Sequence, residues 1–153
     1  MAEDVVTVEK VIHAPPEVIF GLLTDASRHP EVDGSGGVVK PKPDTPERLG
    51  PGSVFGMSMR LGVPYSTVNT VVEYEENRRI AWRTAPLGFA GRFSGGRIWR
   101  YQLEPAEGGT LVQESWDVTN DKQRSILKVV AAKQMKRAME KTLDRIEELT
   151  ATT

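Results

Sequence analysis

Between Ser53 and Val118 the apolar residues recur at every second position, and beyond Asn120 they recur every three to four. Phe55, Met57, Met59 and Leu61 alternate with smaller or polar residues. So do Ile80, Trp82 and Thr84, then Trp99, Tyr101 and Leu103, and finally Val112, Glu114, Trp116 and Val118. Val68, Thr70, Val72 and Tyr74 read as one further face. A period of two places alternate side chains on one side of a sheet. Turns such as Glu76-Asn77-Arg78 and Glu107-Gly108-Gly109 join the strands into an antiparallel meander. In the last segment Leu127, Val130, Ala131, Met135, Ala138, Met139, Thr142, Ile146 and Leu149 share one broad face. Lys133, Lys136, Arg137, Glu140, Asp144 and Glu147 oppose them. Asn120 with Gln123 reads as a capping box. The spacing therefore predicts one helix from Asn120 to Leu149, of about seven turns or roughly 40 Å. A flat sheet layer does not cover a helix of that length; a sheet that curls along it does.

The first third adds a strand and two short helices. Val5 to Ile12 (VVTVEKVI) is β-branched and roughly alternating, and His13-Ala14-Pro15-Pro16 ends it. Proline suits the first turn of a helix, and Val18, Ile19, Leu22 and Leu23 follow at helical spacing to about Thr24. Asp25 to Val32 predicts a second helical turn interrupted at Pro30. Gly34 to Gly52 holds a brief strand at Val38 and Val39, then an exposed loop from Lys42 to Pro51. The expected architecture is α+β. A curved antiparallel sheet of about seven strands, a usual sheet size, wraps a long C-terminal helix, with two short helices after the first strand. It forms a single domain over residues 1–153.

Charge and residue usage exclude several function classes. The net charge of −1, from 20 basic and 21 acidic residues, supplies no field that draws the chain to nucleic acid. Without cysteine there is no disulfide, thiolate nucleophile or thiolate metal site. His13 and His29 lack ligand spacing, so no metal and no cofactor are expected. His13 reads as a solvated turn residue, and His29 as a residue at the rim of a pocket mouth or a plain surface group. Gly34-Ser35-Gly36-Gly37 is not followed by a helix start and so does not read as a phosphate cradle. No run approaches the ~20 apolar residues of a membrane span, and the first residues lack a signal-peptide pattern. The expectation is a cytoplasmic monomer or homodimer.

On parity, Phe55, Met57, Met59, Trp82, Trp99, Tyr101 and Trp116 face the concave side, opposite Met135 and Met139 of the last helix. Methionine and tryptophan suit a surface that meets varied apolar shapes, although each residue alone fits an ordinary core equally well. Glu114 and Tyr101 are the polar members of that face. They either satisfy each other structurally or form a polar anchor or acid/base pair. Pro86 to Gly96 (PLGFAGRFSGG) carries Phe89 and Phe93 among glycines, and reads either as a lid or as a loop folded over the core.

The opening VEKVIHAPPEVIFGLLTDASRHPEV and the later YQLEPAEGGTLVQESWDV complete the pattern. With this order of elements the chain resembles the helix-grip proteins of the START-like (SRPBCC) superfamily, and most closely its bacterial polyketide cyclase/dehydrase and lipid transport group. A cystatin-like cone opens on its long helices, the reverse of the order here. The resemblance implies a cavity between sheet and helix that binds or carries a small hydrophobic molecule: a lipid, a polyketide or an aromatic metabolite. The alternative it implies is a polyketide cyclase/dehydratase with Glu114 and Tyr101 as acid/base groups. The candidate ligand-binding set is Phe55, Met57, Met59, Trp82, Phe89, Phe93, Trp99, Tyr101, Glu114, Trp116, Met135 and Met139.

Overall fold

A computed structural model describes residues 4–88 and 95–151. In chain order the elements are β1 (Val5–Ile12), α1 (Pro16–Leu23), a 3-10 turn (Ala26–Arg28), α2 (His29–Val32), β2 (Val38–Pro41) and β3 (Val54–Leu61). They continue as β4 (Val63–Glu75), β5 (Arg79–Pro86), β6 (Arg97–Ala106), β7 (Gly109–Asp117), α3 (Arg124–Val130) and α4 (Ala132–Thr150). The seven strands form one antiparallel sheet in the order β1-β7-β6-β5-β4-β3-β2. The first strand thus pairs with the last, and the meander runs from there to the β2 edge.

Helix α4 crosses the inner face of this sheet. Its buried stripe is Met139, Thr142, Leu143, Ile146 and Thr150, and its contacts are with β1, β7, α1 and α2. The core gathers Ile12, Ile19, Phe20, Leu23, Ile80, Leu103, Val112 and Trp116 under that stripe. Lys10 of β1 reaches Asp144 at 2.8 Å and Glu147 at 2.9 Å. These partly exposed ion pairs fix the helix's direction more than they stabilise it.

Four local expectations are corrected. The last helix is two helices rather than one, broken at Ala131 (φ −111°, ψ −14°). The β-branched pair Val129 and Val130 precedes the break, and such residues propagate a helix poorly. Val130 is 70% exposed rather than on the buried face, and α4 alone is about 28 Å long at 1.5 Å per residue. The capping box does not form: Asp121, not Asn120, accepts the Gln123 N–H through Oδ1 at 2.8 Å. In β4, Thr67, Asn69 and Val71 face inward, while Val68, Thr70 and Val72 face outward. A bulge between Val71 and Glu73 restores Tyr74 to the inner side, where its ring meets Phe20 edge-on at 5.6 Å. Finally, the Lys42–Pro51 loop is not wholly exposed, since Leu49 is fully buried and its N–H donates to the Thr24 carbonyl at 2.7 Å.

Candidate functional site

The N-terminal half of α4 does not seat on the sheet. Between them lies a cavity of about 640 Å³, within the ~300–1,000 Å³ range of small-molecule sites. Phe55, Met57 and Met59 of β3, Trp82 of β5, Trp99, Tyr101 and Glu114 of β6 and β7, and Met135 and Met139 of α4 all line it. Trp116, by contrast, is buried in the core and is not part of the lining, so its assignment to the site is corrected. It stands opposite Trp99 in the sheet, two residue pairs further along the strand than Glu114. Phe89 and Phe93 fall outside the described residues.

The wall has three sections. An aromatic cluster forms the first: His29 stacks on Trp82 at 5.0 Å between ring centroids, and Phe55 and Tyr101 flank the indole at 5.8 and 5.7 Å. The second is a polar ladder across β4 and β5. Asn69 Nδ2 donates to the Phe55 carbonyl and to Thr67 Oγ1, both at 3.2 Å, and Asn69 Oδ1 accepts from the Thr84 hydroxyl at 2.7 Å. Both ends of the Asn69 amide are therefore occupied by protein.

The third is the Tyr101–Glu114 pair, which faces itself across β6 and β7. The Tyr101 hydroxyl donates to Glu114 Oε2 at 2.9 Å. Glu114 is 2% exposed, and its Oε1 has no partner among the described residues. Burial pushes the carboxyl group well above the usual range for a glutamate; the Tyr101 hydrogen bond opposes this, and the charge of Asp33 adds to it. Burial likewise raises the Tyr101 phenol well above its usual value, reinforced by the charge and hydrogen bond of Glu114.

His29 opens α2 and sits at the inner end of the mouth rather than on an exposed rim. It is buried, and its Nε2 lies 2.9 Å from the Leu23 carbonyl. A carbonyl only accepts, so in the neutral ring Nε2 carries the proton and Nδ1 is the acceptor. Burial lowers the imidazole's pKa, with the Leu23 hydrogen bond opposing it. Below about pH 6.5 the unfolded chain binds a proton that the folded chain refuses, so this residue lowers stability as pH falls. The expected result is a smaller loss of melting temperature between pH 7 and pH 5 in His29→Gln than in the wild type. Parallel curves would refute the buried, neutral assignment.

At the mouth, Asp33 accepts from the Ser35 N–H at 3.0 Å, the Ser35 hydroxyl at 2.8 Å and the Val38 N–H at 3.0 Å. This organises the Gly-rich turn between α2 and β2. Gly34 N–H donates to Thr142 Oγ1 at 2.9 Å, tying the turn to α4. Arg137 and Lys141, one turn apart on α4, are exposed and line the same opening. Arg97 also lines it, and its Nε donates to the buried Asp121 at 3.2 Å. Among the described residues no group of three or more His, Cys, Asp or Glu side chains is placed to hold a metal. No helix among them is long and apolar enough to cross a membrane.

Residues 4–150 match the family described as polyketide cyclase / dehydrase and lipid transport. The chain belongs to that family. Among curated relatives, uncharacterized protein Rv0088 of Mycobacterium tuberculosis is 32% identical over 108 residues, covering 69% of this chain and 44% of that protein. This chain thus spans less than half of the curated relatives it matches. Among solved structures, protein NE0264 from Nitrosomonas europaea aligns with a TM-score of 0.73 at 16% identity, over 99% of this chain and 97% of that one. Protein CV1439 from Chromobacterium violaceum gives 0.72 at 16% identity over 96% of each chain. Ara h 8.0201 gives 0.69 at 14%, over 97% and 98%. At these identities the likeness concerns the fold alone, and it is the helix-grip fold of this cyclase/dehydrase and lipid transport family.

Thr67, Asn69, Arg137 and Lys141 are not legible in the sequence as part of this family member's cavity, and His29 is legible only as a rim candidate. A signal for His29 exists nonetheless. It lies three residues from both Ala26 and Val32, and both are buried. The apolar side of that short turn therefore runs through it.

Proposed function

We propose that this protein binds, and carries, a small hydrophobic molecule of the lipid, polyketide or aromatic-metabolite class. The observation that carries the reading is the 640 Å³ space walled by methionine, tryptophan and phenylalanine beneath the first half of α4. A cavity of this size lined by ordered aromatics costs packing energy that a solid core would retain, and a ligand returns those contacts. Methionine supplies the adaptability on two sides, from β3 and from α4.

The test is titration with an environment-sensitive apolar dye, in the wild type and in Met59→Trp. The larger ring fits a strand and fills the space. Saturable binding by the wild type, lost by about 10-fold or more in a variant of equal melting temperature, is the expected result. An affinity of ~−0.3 kcal/mol per atom for drug-sized ligands makes such a loss measurable. Equal binding by both proteins, or none by the wild type, would remove the cavity as the binding site.

One observation supports a second reading, a cyclase or dehydratase. Glu114 held as a neutral acid and His29 held as a neutral base line the same space, and opposed pKa tuning of two groups is what acid/base chemistry needs. Tyr101 serves this reading as the group that positions Glu114, since its proton is already donated to Oε2. Turnover of a poly-β-keto substrate that falls ~10²–10⁴-fold in a well-folded Glu114→Gln protein would put the enzyme reading ahead of the carrier.

A further inference from the structure

Two ends of the cavity differ in chemistry, and together they define a ligand more narrowly than its apolar wall does. At the inner end the Tyr101 proton occupies Glu114 Oε2. A neutral carboxyl group then carries its own proton on Oε1, the atom left without a partner in a residue 2% exposed. A buried O–H without an acceptor is costly, and a group that accepts from it recovers that cost. No polar group among the described residues stands within hydrogen-bond distance of this atom. The Asn69 amide is occupied at both ends by Thr67, Thr84 and the Phe55 carbonyl. Trp116 Nε1, also unpartnered among the described residues, is a donor and its ring lies off the lining.

At the outer end Arg137 and Lys141 present two cations with no ion pair among the described residues. The facing carboxylate, Asp33, is taken up by Ser35 and the Val38 N–H. Arg97, the remaining cation of the lining, bonds Asp121. The mouth therefore has a surplus of positive charge, and its interior neighbour His29 is uncharged at neutral pH.

Resting on the reading of the cavity as a ligand site, we propose that the ligand is an amphipathic acid with a carbonyl group at its buried end. The hydrocarbon body lies along Met57, Met59, Trp82 and Trp99. Its carboxylate sits at the mouth by Arg137 and Lys141, and its inner carbonyl oxygen accepts a hydrogen bond from Glu114 Oε1–H. Keto-fatty acids and short poly-keto acids share this chemistry.

The test compares binding of dodecanoic acid, its keto analogue with the carbonyl beside the terminal methyl, methyl decyl ketone and dodecylamine, each by displacement of the apolar dye. The wild type is expected to hold the keto acid roughly 5- to 50-fold tighter than dodecanoic acid, as one recovered buried hydrogen bond allows. In Glu114→Leu that preference disappears while dodecanoic acid still binds. In Arg137→Gln/Lys141→Gln both acids weaken about 3- to 5-fold at low salt, the worth of exposed charge contacts, and the ketone is unchanged. Equal affinity of the wild type for the two acids overturns the inner contact. Tighter binding of dodecylamine than of the keto acid overturns it as well, by making Glu114 an anion. Unaltered acid binding in the double variant overturns the outer contact. If the dye itself does not bind, the cavity reading has failed. If the dye binds and none of the four probes displaces it, this inference alone has failed.

Discussion

Gly34→Val is expected to lower stability by about 3 kcal/mol, at the upper end for overpacking, and the melting temperature by roughly 6–12 °C for a domain of this length. A Cβ on Gly34 would lie 2.3 Å from the Ala138 carbonyl oxygen, 2.6 Å from Lys141 Cβ and 2.6 Å from the Thr142 nitrogen. Two of the three are backbone atoms of α4, which cannot give way without moving the helix. The same displacement stretches the Gly34 N–H to Thr142 Oγ1 bond. Gly36, two residues on, supplies the comparison. It has φ +76°, and a Cβ placed there would have no neighbour within 4 Å, so Gly36→Ala meets only the left-handed backbone cost of about 1–2 kcal/mol. A Gly34→Val protein that melts no lower than Gly36→Ala would show that the turn and α4 are not in firm contact. Because the turn also borders the cavity mouth, dye affinity should fall in the valine variant and hold in the alanine variant.

Glu114→Gln is expected to raise the melting temperature at neutral pH and to leave it nearly unchanged near pH 4. The folded chain keeps this carboxyl group protonated well above the range in which an unfolded chain, with a glutamate pKa of about 4.3, releases the proton. From about pH 4.3 upward the native state therefore binds more protons than the unfolded state, and stability falls as pH rises toward the folded pKa. Glutamine has the same shape, accepts the Tyr101 hydrogen bond through its carbonyl oxygen and has nothing to ionise. The gap between variant and wild type should therefore widen steadily from pH 4 to pH 8. The trend is opposite in sign to that of His29, so the two variants separate the two sites in one set of melting curves. A gap that stays constant across this range would mean that Glu114 is ionised in the folded protein, and the inner half of the ligand assignment would go with it.

Legibility in the sequence follows the range of the forces involved. Strands β3, β5, β6 and β7 keep strict alternation against one continuous core, so parity alone places Phe55, Met57, Trp82, Tyr101 and Glu114 on the inner side. The Tyr101–Glu114 contact follows because the tight turn at Gly108-Gly109 sets the register of its hairpin. Strand β4 defeats the same method, since Tyr74 and the residues whose parity it shares in sequence stand on opposite sides of a bulge. The expected long helix is too long because a side chain at helical spacing need not find a partner: Val130, expected on the apolar face, is 70% exposed. His29 acquires its role from Trp82 and Phe55, more than twenty residues away along the chain, and no local pattern states such a contact. Trp116 shows the limit from the other side. Parity gives its direction, and only the path of α4 determines where the cavity ends and the solid core begins.

The bulge at Val72 has a consequence for how relatives of this protein should be compared. Asn69 and Tyr74 have opposite parity in the sequence and yet both face inward, because the extra residue is absorbed at this point. A relative one residue shorter here can run as a regular strand and keep both the Thr67–Asn69–Thr84 ladder and the Tyr74–Phe20 contact on the inner side. A single-residue gap elsewhere in β4 would instead turn part of the strand over and bring Val68 and Thr70 inward in place of Asn69. Alignments of the family are therefore best anchored separately on each side of the bulge, with a length difference in this strand placed at Val72.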